Sequence, residues 1–332
     1  MKEGFRWCPH CREPHVLASR FCPGTGLPIE KQLHESSTGV GRHPLAGTVV
    51  DGRYEIRQRI GSGAMNEVFE AVDRGTNESV ALKIVKQGSS EAAQRLEREA
   101  RLLSALDHPN LCAARGTGAM PDGRPYLALE RLEGETLATR LHGRARLHWS
   151  LAVSLFAQLL DGLAAAHVRG ITHRDLKPSN VFLVDRGQRL PLVKLLDFGL
   201  AFDGRSRRMT RPGRTTGTPL YMSPEQLLGA PPTATSDLFA VGIMLYEALS
   251  GRHPFAAATM REQTQKTLFE RETELAVHVP DALPEVRVLV HRALAKAPEE
   301  RTPTASEMRD ALLRIPTQDA EVDSESQRAS HY

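Results

Sequence analysis

The order of its patterns constrains this sequence most: short β-branched segments come first, and long apolar helical segments follow. The β-branched segments are separated by Gly, Asn and Asp, residues that favour turns. They predict strands at Tyr54–Ile60, Glu67–Asp73, Ser79–Val85 and Tyr126–Glu130. An α+β chain is therefore expected, with a strand-rich lobe followed by a helical lobe.

Apolar residues at helical spacing predict three main helices. The first begins at Ser89 or Ser90, either of which can cap it, and ends before Pro109. The other two, Leu151–His167 and Ser236–Leu249, are apolar almost all round, which predicts helices buried in a core. Beyond about residue 136 the pattern is predicted to be helical.

Charge and cysteine content exclude several classes of protein. The 43 basic and 40 acidic residues give a net charge of +3, too balanced for an obligate nucleic-acid binder. Four cysteines in 332 residues do not make a disulfide framework, so a reducing compartment, the cytoplasm, is expected. The first residues resemble no signal peptide, and no stretch approaches the ~20 apolar residues of a membrane span.

Two features suggest a phosphate site between the predicted strands. The segment Ile60-Gly61-Ser62-Gly63-Ala64-Met65-Asn66-Glu67-Val68 is glycine-rich, which lets backbone N–H groups approach a phosphate; alternatively it is a plain hairpin turn. Lys83 lies among apolar residues of a strand, and Glu99 lies on the next helix. An ion pair between them would hold the ammonium near phosphates; alternatively both side chains are solvated.

Two further motifs lie later in the sequence. His173-Arg174-Asp175-Leu176-Lys177-Pro178-Ser179-Asn180 is followed seventeen residues later by Asp197-Phe198-Gly199. Together with the glycine-rich segment, Lys83 and Glu99, these motifs resemble the eukaryotic-like serine/threonine protein kinases, including bacterial ones. The resemblance runs from about Tyr54 to Ile315, roughly four-fifths of the chain. It implies a two-lobed kinase fold that binds ATP and Mg²⁺.

The resemblance also implies roles for the catalytic residues. Asp175 would orient the substrate hydroxyl and accept its proton, and Lys177 would neutralise charge on the transferring phosphoryl group. Asn180 and Asp197 would hold Mg²⁺ through oxygen atoms. Lys83 and Glu99 would form the family's strand-lysine and helix-glutamate pair. Lys177 in this loop is typical of kinases that act on serine and threonine.

The nucleotide would lie beneath the glycine-rich segment, residues 60–68. Its adenine ring would bond the backbone of Glu130 and Leu132, with Leu129 as gatekeeper. The apolar walls around the ring would be Ile60, Val68, Ala81 and Phe182. Asn66 stands where the family has a third glycine, and Asn tolerates positive φ better than most residues. Its side chain is expected to hinder loop closure and to alter the affinity for nucleotide.

Gly217 to Glu225 resembles the substrate-facing segment of serine/threonine kinases. The resemblance implies that Thr218 contacts the catalytic aspartate, that Glu225 pairs with Arg301, and that Asp237 braces the catalytic loop. Thr215 and Thr216 lie beside several arginines and are predicted autophosphorylation sites; alternatively the basic run only keeps a loop soluble. A homodimer that phosphorylates this loop in trans is one arrangement considered.

Three of the four cysteines lie in the first 35 residues, and Cys8-Pro9-His10-Cys11 and Phe21-Cys22-Pro23-Gly24 resemble the knuckles of a zinc ribbon. Zinc would be bound by Cys8, Cys11 and Cys22. Thr25 stands where the fourth ligand belongs, and neither His15 nor His34, which could replace it, lies at the family's spacing. A degenerate ribbon with free thiols is the alternative. Cys112 is predicted to be an inert core thiol.

The predicted organisation is a cysteine module at 1–35, a linker at 36–53, a kinase domain at 54–315 and a disordered acidic tail at 316–332. The kinase lobes divide at residues 54–132 and 133–315. The function implied is phosphoryl transfer from ATP to Ser or Thr of protein substrates, with no nucleic-acid partner. The alternatives are a pseudokinase scaffold or nucleotide sensor, a binding role for the cysteine module, and a kinase of tyrosine or small molecules.

Overall fold

The computed structural model describes residues 5–7, 14–16, 43–63, 65–86, 90–142, 146–188, 190–198 and 219–316. The first two segments form an antiparallel hairpin of β1 (Phe5–Trp7) and β2 (Pro14–Val16), in which Arg6 pairs with His15. The segment that connects the two strands contains Cys8 and Cys11, which lie outside the described residues, as does Cys22.

The first lobe is built on an antiparallel sheet of six strands with the order β3-β4-β5-β6-β8-β7. The strands are β3 (Val49–Val50), β4 (Tyr54–Ser62), β5 (Asn66–Asp73), β6 (Ser79–Val85), β7 (Ala114–Ala119) and β8 (Pro125–Glu130). Helix α1 (Ser90–Ser104) packs against β7 and β8. One sheet face buries Phe69, Ala71, Leu82 and Ala128 completely, which leaves the opposite face to the cleft between the lobes.

All four predicted strands of this lobe are present, and two further strands are not predicted from the sequence. Strand β7 has the sequence Ala-Arg-Gly-Thr-Gly-Ala, without the β-branched run that marks a strand. A Cβ on its Gly118 would lie 2.6 Å from the Tyr126 hydroxyl, so the strand is glycine-rich because the packing demands it. Strand β3 lies within the predicted linker, yet Val50 is fully buried in the sheet's core.

The second lobe is helical around two buried helices, as the sequence predicts. Helix α3 (Trp149–His167) packs against α5 (Ala234–Ser250), and Gly251 in the left-handed region ends α5. The other helices are α2 (Leu137–Leu141), α4 (Pro224–Leu227), α6 (Met260–Phe269), α7 (Leu275–His278), α8 (Pro284–Ala293) and α9 (Ala305–Leu313). Burying a large apolar side chain contributes about 1.5–3 kcal/mol, and α5 buries Leu238, Phe239, Ile243 and Met244 completely.

Among the described residues, α3 is the helix that is long and apolar enough to cross a membrane by length and composition. More than half of its most apolar window is buried inside the protein, and the helix contacts α5 and α9. In this structure it therefore occupies the position of a core helix.

The prediction of helix alone beyond residue 136 is wrong at one place. A small antiparallel sheet, β9 (Gly134–Thr136), β10 (Val181–Val184) and β11 (Leu192–Leu195), lies between the lobes. Strands of three or four residues are too short to produce a periodic signal, and β9 pairs with a strand more than forty residues away. This sheet positions the chain before β9, which includes Leu132, and the chain after β11, which includes Asp197.

Candidate active site

Lys83 projects from the middle of β6 into the cleft and is only 7% exposed. Its Nζ donates to Glu99 Oε1 at 2.9 Å, to Glu99 Oε2 at 2.8 Å and to Asp197 Oδ1 at 2.7 Å. Burial alone would lower the pKa of Lys83, but the carboxylates of Asp197 and Glu99 outweigh it and raise the pKa above its ordinary value. Lys83 is therefore a fixed cation, and the alternative of a solvated edge-strand lysine is excluded.

The catalytic loop is held by helix α5. Asp237 accepts the backbone N–H of His173 at 2.8 Å on Oδ2 and that of Arg174 at 2.9 Å on Oδ1. Arg174 has φ +68°, in the left-handed region that non-glycine residues seldom adopt. Two hydrogen bonds from one buried carboxylate offset the cost of that conformation. The bracing contact predicted for Asp237 is thus present.

Two histidines extend this support through contacts that no motif in the sequence predicts. His167, the last residue of α3, lies with its Nε2 2.8 Å from Asp237 Oδ2. His173 is fully buried, its Nε2 lies 2.9 Å from the Leu196 carbonyl, and its ring lies 4.9 Å from that of Phe198. The loop that carries Asp175 is thereby joined to the segment that carries Asp197.

Asp175 and Lys177 form the exposed part of the loop. Lys177 Nζ donates to Asp175 Oδ2 at 2.7 Å, and the Asp175 side chain is 40% exposed. Asn180 Nδ2 donates to the Asp175 carbonyl at 2.8 Å, and the Asn180 carbonyl accepts the N–H of Leu196 at 2.9 Å. A chain of contacts therefore links Asp175, Asn180, Asp197 and Lys83 around one cleft.

Two oxygen donors in this cleft fit a magnesium ion. The Nδ2 of Asn180 donates to the Asp175 carbonyl, so its Oδ1 points away from that bond. Asp197 accepts from Lys83 through Oδ1, and its side chain is half exposed. Mg²⁺ in nucleotide sites takes one or two protein oxygens and completes its shell with phosphates and water. Elsewhere in the described residues, no cluster of three His, Cys, Asp or Glu side chains could hold a metal ion.

The predicted adenine slot lies on the cleft face of the sheet. Val68 pairs with Lys83, and Ala81 pairs with Leu129, so all four lie in neighbouring cross-strand pairs. Phe182 lies in β10 at the floor, where it pairs with Thr136.

Two backbone groups of the predicted adenine contacts already have partners. The N–H of Glu130 donates to the Ala113 carbonyl at 2.9 Å, and the Leu132 carbonyl accepts from the Arg131 guanidinium. The N–H of Glu130 is therefore already engaged within the protein.

The side chain of Glu130 forms an ion pair that the sequence motifs do not predict. Its Oε1 accepts from Lys194 Nζ at 2.5 Å and from the Ala113 N–H at 2.8 Å. Lys194 also donates to the Leu111 carbonyl at 3.2 Å and is buried in β11. This ion pair connects the end of β8 to the strand that leads to Asp197. A lysine inside a short apolar run, Leu-Val-Lys-Leu, was the available signal.

The glycine-rich segment folds as a hairpin closed by its own backbone. The Gly63 N–H donates to the Asn66 carbonyl at 2.8 Å, and the Lys86 N–H donates to the Met65 carbonyl at 2.8 Å. Asn66 is absent from the described non-glycine residues with positive φ, so its tolerance of left-handed backbone is not needed here. It is the first residue of β5, where ordinary extended geometry suffices. Ala64 lies outside the described residues.

Residues 199–218, which include Thr215, Thr216 and Thr218, lie outside the described residues. Glu225 and Arg301 are described, and they form the predicted pair through two bonds of 2.7 Å. Burial alone would raise the pKa of Glu225, but hydrogen bonds from Arg301 and Ser236 lower it to about 2. Cys112 is buried, which raises the pKa of its thiol, as expected for an inert core residue.

Comparison with known proteins adds an independent observation. Residues 54–312 match the protein kinase domain family. The chain is 34% identical over 279 residues to the serine/threonine-protein kinase PknA of Mycobacterium tuberculosis (strain ATCC 25618 / H37Rv), covering 82% of this chain and 63% of the relative. It is 33% identical over 296 residues to the serine/threonine-protein kinase pkn3 of Myxococcus xanthus, covering 86% and 54%.

It is also 35% identical over 268 residues to the serine/threonine-protein kinase PrkC of Bacillus subtilis (strain 168), covering 80% of this chain and 40% of the relative. The chain thus spans between 40% and 63% of the length of these curated relatives.

Proposed function

The chain belongs to the protein kinase family, and on that premise we propose that it is an ATP-dependent serine/threonine protein kinase. It transfers the γ-phosphoryl group of ATP to a Ser or Thr hydroxyl of a protein substrate. The observation that carries the proposal is the contact of Lys83 with both Glu99 and Asp197, in the cleft that also contains Asp175. A fixed cation beside a metal-binding carboxylate is what phosphoryl transfer needs.

The mechanism follows from the positions of these side chains. Asp175 orients the substrate hydroxyl and accepts its proton as the oxygen–phosphorus bond forms and the bond to the ADP oxygen breaks. Lys177, 2.7 Å from Asp175, stabilises the negative charge on the phosphoryl oxygens, and Lys83 holds the phosphates of the leaving ADP. Asn180 and Asp197 would hold Mg²⁺, which neutralises phosphate charge when bound.

The choice of serine and threonine is supported by Lys177 in the catalytic loop and by the names of the relatives. The pseudokinase alternative is not favoured, because Lys83, Asp175, Asn180 and Asp197 are all present and connected by contacts.

Incubation with Mg²⁺ and γ-labelled ATP, followed by phosphosite mapping, tests the proposal. The wild-type chain is expected to incorporate label into itself or a generic protein substrate, and Asp175→Ala is expected to lose this while remaining folded. Label on Thr215 or Thr216 would support the predicted loop sites, and a rate per molecule that rises with concentration would support transfer between two copies. Equal incorporation by Asp175→Ala would refute the assignment of the base.

A zinc site in residues 1–35 is a second proposal. The β1–β2 hairpin supports it, because the Cys8 and Cys11 positions fall in the connection between its two strands. Cys8, Cys11 and Cys22 supply three thiolates, and His15 or His34 supplies the fourth ligand. Metal analysis of the full chain is expected to give one zinc per molecule, and Cys22→Ser is expected to lose it. Metal-free wild-type protein with three reactive thiols would refute the site.

A further inference from the structure

Asn66 lies on the face of the sheet that looks into the cleft. The pairing of β5 with β6 runs without a bulge from Asn66 opposite Val85 to Val72 opposite Ser79, and includes Val68 opposite Lys83. Side chains two residues apart in a strand share a face, so Asn66 lies on the face of Val68 and Lys83. The pair of Asn66 with Val85 lies two cross-strand pairs from that of Val68 with Lys83, toward the glycine-rich hairpin, and is the next pair on the same face.

Among the described residues, this carboxamide has no hydrogen-bond partner. Its Oδ1 is buried without a donor, and no described residue accepts from its Nδ2. Buried polar side-chain atoms in native proteins nearly always have a partner, and leaving one without is costly. An anion entering the cleft would accept from the two Nδ2–H donors, whereas Oδ1 is an acceptor and can be satisfied only by a donor.

One backbone amide of the glycine-rich hairpin already has a partner within the hairpin. The Gly63 N–H, which could otherwise bind a phosphate, donates to the Asn66 carbonyl at 2.8 Å. Lys86 fixes the opposite side, because its Nζ donates to the Gly63 carbonyl at 2.6 Å and its N–H donates to the Met65 carbonyl at 2.8 Å. These bonds hold the hairpin in shape, and they leave the Gly63 N–H unable to bind a ligand. The Asn66 side-chain amide lies beside it without a partner among the described residues.

We propose that the Asn66 carboxamide binds the phosphate groups of the nucleotide through its Nδ2–H donors. The inference rests on the proposed function and reverses the expected effect of this residue: Asn66 is a ligand contact and not an obstacle to loop closure. A hydrogen bond to a charged phosphate oxygen is stronger than one between neutral groups, so it compensates for the engaged Gly63 amide. The recognised chemistry is that of a nucleoside polyphosphate, and the adenosine part is not involved.

The test is calorimetric titration of the full chain with MgATP and, separately, with adenosine. Asn66→Gly is expected to weaken MgATP binding about tenfold, the factor that one charge-assisted hydrogen bond of ~1.4 kcal/mol gives, and to leave adenosine binding unchanged. Asn66→Asp is expected to weaken MgATP binding further, because a carboxylate repels phosphate. Asn77→Asp is the matched control, since it adds the same charge in the turn between β5 and β6, and both ligands should bind it as they bind the wild type.

Each other outcome overturns the inference. If Asn66→Gly binds MgATP as tightly as the wild type or more tightly, the side chain is neutral or an obstacle. If MgATP and adenosine weaken by the same factor, Asn66 acts on the shape of the hairpin and not on phosphate. A folded wild-type chain that binds adenosine but not MgATP would refute the proposed function, a result distinct from both.

Discussion

Arg301 and Glu225, 76 residues apart in sequence, are joined by two parallel hydrogen bonds of 2.7 Å. The Arg301 side chain is completely buried, and its remaining donors bind the carbonyls of Thr235, Ala295 and Lys296. Glu225 also accepts from Ser236 at 2.7 Å. The pair therefore connects α4, the start of α5 and the turn before α9.

Arg301→Leu is expected to lower the free energy of unfolding by about 3–5 kcal/mol, because it leaves the Glu225 carboxylate buried without its cation. Urea denaturation at pH 7 measures this. Arg309→Leu is the control: its partners Asp161 and Asp310 are 40% and 51% exposed, so its loss should cost less than about 1 kcal/mol. Equal costs for the two variants would contradict the prediction.

Acid should weaken the protein through Glu225. Its pKa is about 2 in the folded chain and near 4.5 in the unfolded chain, so its contribution is complete above pH 4.5 and is lost as the pH falls toward 2. The loss in the free energy of unfolding is at most about 3 kcal/mol. Denaturation of the wild type and of Glu225→Gln between pH 7 and pH 3 should give profiles that converge at low pH. Profiles that stay parallel would show that Glu225 is not the titrating group.

Glu247 should act in the opposite direction. Burial raises its pKa to about 7 despite the hydrogen bond from the Tyr221 hydroxyl at 2.7 Å. The folded chain then binds the extra proton between pH 4.5 and 7, so stability falls as pH rises through this range, by at most about 3 kcal/mol.

Glu247→Gln is expected to remove this slope, as measured by denaturation at several pH values. The difference between the two profiles isolates Glu247, because His253, whose pKa burial lowers to about 4, contributes to both. Superimposable profiles would refute the assignment.

Gly134 is expected to tolerate no side chain. It has φ +137°, and a Cβ would lie 2.1 Å from the Leu183 carbonyl in β10. Gly134→Ala should therefore cost about 3 kcal/mol or more and reduce nucleotide binding, because β10 carries Phe182. Gly123→Ala is the matched control: Gly123 also has positive φ, at +83°, but a Cβ there meets nothing within 4 Å, so about 1 kcal/mol is expected. Thermal unfolding compares them, and equal shifts would contradict the steric argument.

Sequence reasoning was sufficient where a residue's role depends on motif spacing. Positions in recognisable motifs predicted three contacts: Lys83 with Glu99, Glu225 with Arg301, and Asp237 with the predicted catalytic loop. The order of strands and helices was likewise visible, because hydrophobic periodicity over ten or more residues survives without tertiary information.

The contacts that were missed depend on the fold itself. Lys194 and Glu130 are 64 residues apart, and nothing local marks them as partners until β11 is packed beneath β8. Strand β7 lacks strand propensity because neighbouring tyrosine hydroxyls occupy the space that larger side chains would need. The extended backbone of Asn66 at the start of β5 also depends on the pairing of this strand with its neighbours.

The support that Asp237 gives to His173 and Arg174 has a mechanical consequence. Asp175, the proposed proton acceptor, is anchored to the most deeply buried helix of the second lobe, whereas Lys83 and the glycine-rich hairpin are anchored to the sheet of the first. A pivot of one lobe against the other would change the distance between nucleotide and acceptor while each half kept its own geometry. The alignment of the two lobes is thus one variable through which a remote event can change the rate of transfer.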